Sequence, residues 1–258
     1  MTAGKPFKSM FTRVGALTMH AKVSADLPPP GKEPLVLVHG LGLSHVYMMP
    51  VAEYLAVEFP VYVPDLAGFG ESEHPKQILD VAGLAAGLEA WLGAVGLGPV
   101  SMLANSHGCQ IVGELAVRWP GRVNKSVLQG PTTPPEERGW MIQFVRWRQN
   151  NRYNPPELGP ISYHDYHRAG YGRALRTFHL ALRDRLEDKI PAMTGPVLIV
   201  RGQHDPICQE AWAEELAGLA PDGQLAIIPG VAHTLCYAAP EQLATVTVQF
   251  LREGLPAV

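Results

Sequence analysis

Short, uninterrupted apolar runs alternating with longer segments of helical period constrain this chain more than any other feature of its sequence. The clearest run is Leu35-Val36-Leu37-Val38, which has no polar face and ends abruptly on His39-Gly40. A strand with no polar face must be covered on both sides, as strands of a parallel sheet are. Runs at residues 61–63, 100–104, 123–128, 197–200 and 225–228 each stop at Gly, Pro, Asp or Asn. Residues 17–23 alternate in the manner of a half-buried strand before the break at Pro28-Pro29-Pro30-Gly31. Helical period occupies 44–59, 78–95, 108–119, 208–219 and 240–251. The alternation predicts an α/β fold, a mostly parallel twisted sheet with helices on both faces, whose polar chemistry gathers where strands end. No internal repeat is present.

The composition agrees with a single packed domain of this kind. Of 258 residues 47% are hydrophobic and 17% charged, enough apolar surface for a sizeable core. A net charge of -3 gives no general attraction to nucleic acid or to an anionic membrane, and neither is an expected partner. The first residues lack a signal-peptide core, and no run approaches the roughly 18 apolar residues of a spanning helix. A cytoplasmic protein is therefore expected. Cys109, Cys208 and Cys236 fit no disulfide framework and no zinc-finger spacing, so neither a disulfide framework nor a structural zinc is expected. Each cysteine lies three residues after one of the chemistry-bearing residues described next, and all three read as small buried hydrophobes.

Three strand ends carry groups that can act on a carbonyl. Ser106 follows the run 100–104 and opens a helical segment, with Ala104 and Gly108 as small neighbours two positions either side. Asp205 lies in the Gly202-Gln203-His204-Asp205 loop after 197–200, and His233 in the Gly230-Val231-Ala232-His233 loop after 225–228. A serine hydroxyl needs a base to take its proton, and the base needs a carboxylate to fix its tautomer. Taken singly, Asp205 reads equally well as a helix cap and His233 as a packed histidine.

Together these loops resemble those of the α/β-hydrolase fold superfamily, in its serine hydrolase, esterase-like branch. The resemblance spans nearly the whole chain. Ala104-Asn105-Ser106-His107-Gly108 is similar to the family's G-x-S-x-G nucleophile elbow, with Ala104 replacing the first glycine, and the order Ser, Asp, His is the family's. His39-Gly40-Leu41-Gly42 is similar to its HG-x-G loop, and Asp65 to Ser72 to its D-x-x-G-x-G-x-S loop. The resemblance implies Ser106 as nucleophile, His233 as base, Asp205 as acid, and the backbone N–H groups of Leu41 and His107 as the oxyanion hole. His39 then reads as a structural loop residue and His204 as a wall residue, and Gln129-Gly130-Pro131 offers no rival acid. A serine here sets the chain apart from haloalkane dehalogenases and epoxide hydrolases, which place an aspartate at this position.

Between residues 131 and 191 the strand pattern lapses, and the segment reads as an inserted helical lid within a core made of 1–130 and 192–258. Trp140, Phe144 and Trp147 share helical spacing, as do Leu175, Phe178 and Leu182. The segment carries a net charge of +3, leaving -6 on the remainder. One reading sends Arg138, Arg146, Arg148 or Arg152 into the pocket to bind a substrate carboxylate. The other exposes them on a solvated helix face while the aromatic residues line an apolar acyl pocket. The expected substrate is a small-molecule ester or related acyl compound, cleaved through an acyl-enzyme without metal or organic cofactor. The same triad serves acyl transfer and carbon–carbon bond hydrolysis. Asn105 resembles the carbon–carbon hydrolases of aromatic degradation, but these usually carry tryptophan where this chain has Thr234. A slow-turnover small-molecule receptor is the alternative of a different class.

Overall fold

A computed structural model describes residues 7–25 and 32–253. Eight strands form one sheet in the order β1-β2-β4-β3-β5-β6-β7-β8. Strands β3 (Leu35–Val38), β4 (Val61–Pro64), β5 (Val100–Asn105), β6 (Val123–Gln129), β7 (Val197–Gly202) and β8 (Gly223–Ile228) run parallel to one another. Strand β2 (Leu17–Ser24) joins β4 antiparallel and pairs with β1 (Phe7–Val14) in a hairpin whose turn holds Gly15 at φ +57°. The expected strands are all present. Strand β1 was not anticipated, because Phe7–Val14 reads FKSMFTRV and has no apolar run. It needs none, since it is an edge strand with one neighbour. The Pro28–Gly31 break lies outside the described residues.

Strand period and helix placement explain each other. Val36, Val38, Met102, Leu128 and Ile199 point to one face, against helices α2 (Val81–Ala94), α3 (His107–Arg118) and α8 (Glu210–Leu219). Their alternates Leu35, Leu37, Leu103, Val127 and Leu198 point to the other, against α1 (His45–Leu55) and α10 (Pro240–Glu253). Successive side chains of a strand face opposite ways, so a run with no polar residue needs a layer on each side. Trp91 and Leu115 fill one layer, Tyr47 and Phe250 the other, all essentially without solvent contact.

Between β6 and β7 the chain forms only helices: α4 (Trp140–Asn150), α5 (Leu158–Ala169), α6 (Tyr171–Ala181) and α7 (Leu186–Lys189), with 3-10 turns at Pro135–Glu137 and Ile190–Ala192. Among the described residues no helix is long and apolar enough to cross a membrane.

The loop after β4 is organised by one buried carboxylate. Asp65 Oδ2 accepts from His20 Nδ1 (2.8 Å), His45 Nδ1 (2.9 Å) and Glu71 N (2.8 Å), and Oδ1 accepts from His45 N (2.7 Å). Gly70, at φ +53°, passes so close that a Cβ there would lie 2.2 Å from Asp65 Cγ. The three side chains bring potential metal-ligand atoms within 4.8 Å of one another, yet both imidazoles spend their Nδ1 on the same carboxylate oxygen. The arrangement is a hydrogen-bond hub joining β2, α1 and the loop. Burial pushes the Asp65 carboxyl up, but the hydrogen bonds from His20 and His45 outweigh it and hold it well below the usual carboxylate range.

Asp65→Asn faces two imidazole donors with an amide, and should lower the unfolding free energy by about 3–5 kcal/mol in urea titrations. Because the folded carboxyl ionises more readily than the unfolded one, this stabilisation is present above about pH 4 and fades as pH falls. A loss under about 1 kcal/mol would show that the hub is dispensable.

Candidate active site

The turn from β5 into α3 places Ser106 at φ 55°, ψ −120°, the one non-glycine residue with positive φ among those described. Such a conformation costs on the order of 1–3 kcal/mol and persists only where its surroundings enforce it. Here they do: Ser106 N donates to Gln129 O (2.8 Å), and Cys109 N donates to Ser106 O (2.9 Å). Gly108 packs so tightly that a Cβ would meet Val38 O at 2.6 Å and His39 O at 2.8 Å. Ala104 causes no conflict, because it lies inside β5 and is not among the residues of positive φ. Ser106 is part-exposed, while its immediate neighbours in sequence are buried.

Asp205 and His233 meet across the ends of β7 and β8. Asp205 Oδ2 is 2.8 Å from His233 Nδ1, and Oδ1 accepts from the backbone N–H groups of Ile207 (2.8 Å) and Cys208 (2.9 Å). Both residues are buried, and Ser106 and His233 line the same cavity. Gly130, at φ +58°, lies under the imidazole, where a Cβ would stand 2.8 Å from His233 Nδ1.

Leu41 and His107 also line this cavity. His107 is the first residue of α3, so its backbone N–H has no acceptor within the helix. The turn carrying Leu41 is seated by Tyr166, whose hydroxyl donates to Leu41 O (3.2 Å) and whose ring occupies the space a Cβ on Gly42 would need. His39 accepts from Leu66 N through Nε2 (3.1 Å) and faces Gly40 O through Nδ1 (2.8 Å), a neutral histidine with structural duties. His204 stacks on Tyr153 with ring centroids 5.4 Å apart and does not line the cavity.

The cavity is a partly open cleft of about 920 Å³ beneath α4, α5 and α6. Trp140, Phe144 and Trp147 border it with about half of their surface exposed (45%, 53% and 50%), joined by Tyr163, Tyr166 and Phe178. Among the described residues no Asp, Glu, Lys or Arg side chain lines it. The four arginines considered for a carboxylate clamp are elsewhere. Arg138 bonds Glu187 (2.6 Å), Arg146 pairs with Glu137, Arg148 lies over the Phe144 ring (6.0 Å) and Arg152 is exposed. The reason is geometric: the half-exposed 140, 144, 147 stripe of α4 borders the cavity, and acids from the same stretch between β6 and β7 capture Arg138 and Arg146.

The three cysteines are free and buried, and burial pushes their thiols up, away from thiolate chemistry. For two of them the structure accounts for the spacing. A residue three positions on closes the turn, so Cys109 N bonds Ser106 O and Cys208 N bonds Asp205 Oδ1. Two site residues escaped the sequence reading. Gln129, at the end of β6, and Asn150, at the end of α4, both hydrogen-bond the backbone of His233. Only the location of Gln129 at a strand end signalled it.

Known proteins bear on this geometry as follows. Residues 33–159 match the family model of the alpha/beta hydrolase fold. A haloalkane dehalogenase of Mycolicibacterium paratuberculosis is 29% identical over 133 residues, 50% of this chain and 44% of that protein. The chain thus spans less than half the length of this curated relative. A thermophilic esterase from Thermogutta terrifontis superposes with a TM-score of 0.77 at 24% identity, covering 96% of this chain and 98% of the esterase. The enol-lactonase from Burkholderia xenovorans LB400 superposes with a TM-score of 0.79 at 19% identity, covering 95% of this chain and 100% of the lactonase. These likenesses establish the fold.

The side chain of His107 makes a stability prediction. Its Nδ1 meets Gln110 Oε1 (2.7 Å), its buried Nε2 has no partner among the described residues, and burial lowers its pKa to about 4. The folded group therefore binds a proton less readily than the unfolded one. Its contribution is complete above the unfolded value of about 6.5 and is lost as pH falls toward 4, by up to about 1.4 kcal/mol per pH unit. His107→Gln should flatten the decline in urea stability between pH 6.5 and 5, and an unchanged slope would contradict this.

Proposed function

The chain belongs to the α/β-hydrolase fold superfamily, and from that premise we propose that it is a serine hydrolase cleaving a neutral carboxylic ester, or a closely related acyl bond, of a small and largely apolar molecule. The observation that carries the reading is the convergence of Ser106, held at φ 55°, and the Asp205–His233 pair on one cavity without charged walls. In this reading His233 takes the Ser106 proton as Oγ attacks the carbonyl. The Leu41 and His107 amides hold the developing oxyanion, and His233 returns the proton to the leaving alcohol. Water activated by the same imidazole then releases the acid and frees the serine.

The role of Asp205 follows from its hydrogen bonds. With Oδ1 fixed by two backbone N–H groups, Oδ2 has one direction left, and it receives His233 Nδ1. This selects the tautomer in which Nε2 is free to accept a proton. The segment 131–191 acts as a lid whose aromatic face forms the acyl pocket. Substrate polarity follows from the walls, since a buried carboxylate without a cationic partner is penalised heavily.

Ser106→Ala should abolish covalent labelling by a fluorophosphonate, and Asp205→Asn should lower kcat by about 10⁴-fold. Stoichiometric labelling of Ser106→Ala would remove the nucleophile assignment. A neutral p-nitrophenyl ester should exceed its carboxylate-bearing analogue in kcat/KM by about 10²-fold or more, the scale of one unpaired buried polar group. Alanine variants of Arg138, Arg146, Arg148 and Arg152 should affect both esters alike. A preference for the anionic ester would overturn the neutral-substrate reading.

A further inference from the structure

His233 lies in a loop between β8 and the short helix α9 (Leu235–Ala238), where no strand or helix partner is at hand for its peptide groups. It is 7% exposed, so water does not serve them freely either. Both groups are instead taken by side-chain amides from two different parts of the molecule. His233 O accepts from Gln129 Nε2 (2.9 Å), and His233 N donates to Asn150 Oδ1 (3.0 Å). These assignments are chemically forced, because a backbone N–H can only donate and a carbonyl can only accept.

Each amide is itself held. Gln129 has no solvent exposure, and its Oε1 accepts from Asn105 Nδ2 (2.5 Å) and from Cys236 Sγ (3.4 Å). One amide thus joins the residue before the nucleophile to the loop carrying the base. Asn150 Nδ2 donates to Asn154 Oδ1 (3.2 Å), which also accepts from Thr234 Oγ1 (3.0 Å). Helix α4, which ends on Asn150, is tied to the Asp205 side of the site through a residue one turn earlier. There Glu137 accepts from Arg146 of α4 and from Gln209, which precedes α8.

We propose that Gln129 and Asn150 are positioning residues for the base, two amides that grip the His233 peptide from the sheet and from the helical insertion. The proposal rests on the serine hydrolase reading and deepens it. Gln129 fixes the loop to the nucleophile's strand. Asn150 makes the alignment of His233 conditional on α4 being seated over the cavity. Neither amide touches the reacting atoms. Their effect is to hold the imidazole within reach of Ser106, and misplacement of a catalytic group by about 1 Å can cost 10²-fold in rate.

The test reads base alignment directly, as the second-order rate of fluorophosphonate labelling. It is accompanied by kcat and KM for p-nitrophenyl butyrate and by the urea midpoint. Gln129→Met keeps the length of the side chain and removes both the donor to His233 O and the acceptor for Asn105 Nδ2, while Gln129 itself does not line the cavity. Labelling and kcat should fall by about 10-fold or more with KM within about twofold of wild type. Asn150→Ala should slow labelling similarly, and Asn150→Asp, which keeps an acceptor for His233 N, should recover most of the rate. The double variant Gln129→Met/Asn150→Ala should lose less than the product of the single losses, because both amides hold one peptide.

Wild-type labelling rates in the folded single variants, with only the urea midpoint lowered, would overturn the proposal and leave both amides purely structural. Failure of Asn150→Asp to recover any rate would overturn the α4 half of it. If Gln129→Met does not fold, the Asn150 pair decides alone. Wild-type protein that is not labelled at all would instead remove the serine hydrolase reading, an outcome distinct from failure of the grip.

Discussion

The site depends on how closely the chain leaving β5 approaches the end of β3. Gly108 lies where any Cβ would strike the carbonyls of Val38 and His39, and a Cβ on Gly40 would stand 2.7 Å from Asn105 Oδ1. That contact forces the turn between β5 and α3 to be sharp, and the sharp turn places Ser106 at positive φ above the sheet. The loop bearing Leu41 is brought beside it by the β3–β5 pairing. In turn, the β5–β6 pairing sets Asn105 opposite Gln129, from which the loop carrying His233 is held. Sheet order and the absence of two methyl groups therefore fix the relative positions of Ser106, the Leu41 and His107 amides and His233.

Two buried carboxylates organise the rest, by similar means. Asp65 and Asp205 each use backbone N–H groups to fix their planes and each present an oxygen to histidine. Their surroundings give them different work. Asp65 receives two imidazoles and lies away from the cavity, so its charge is consumed in joining β2, α1 and a loop. Asp205 receives one imidazole, and that ring faces the cavity.

How much of this was legible in the sequence divides along sequence separation. The strands announced themselves because burial on both faces leaves no polar residue in a run such as Leu35–Val38, and the three loops announced themselves because they end such runs. Strand β1 escaped because an edge strand with polar residues carries no such mark. Helix α5 was not singled out within the insertion, although the aromatic stripes of α4 and α6 on either side were readable. The arginines were legible as a charge excess but not as a destination, since Arg138 finds its acid 49 residues away. Gln129 and Asn150 were silent for the same reason, their partner peptide lying 104 and 83 residues along the chain. A polar residue whose partner is backbone carries no complementary residue type for a reader to match.

The uncharged cavity has a consequence for what happens after bond cleavage. Ester hydrolysis turns a neutral reactant into a carboxylic acid that ionises at neutral pH. In the proposed reaction that anion forms against described walls offering no Lys or Arg, with the Asp205 carboxylate behind the imidazole. The pocket that favours the ester thus disfavours what the ester becomes, and deprotonation drives the product outward into water. Egress is then built into the wall chemistry, and accumulated acid competes poorly with fresh ester for the same space.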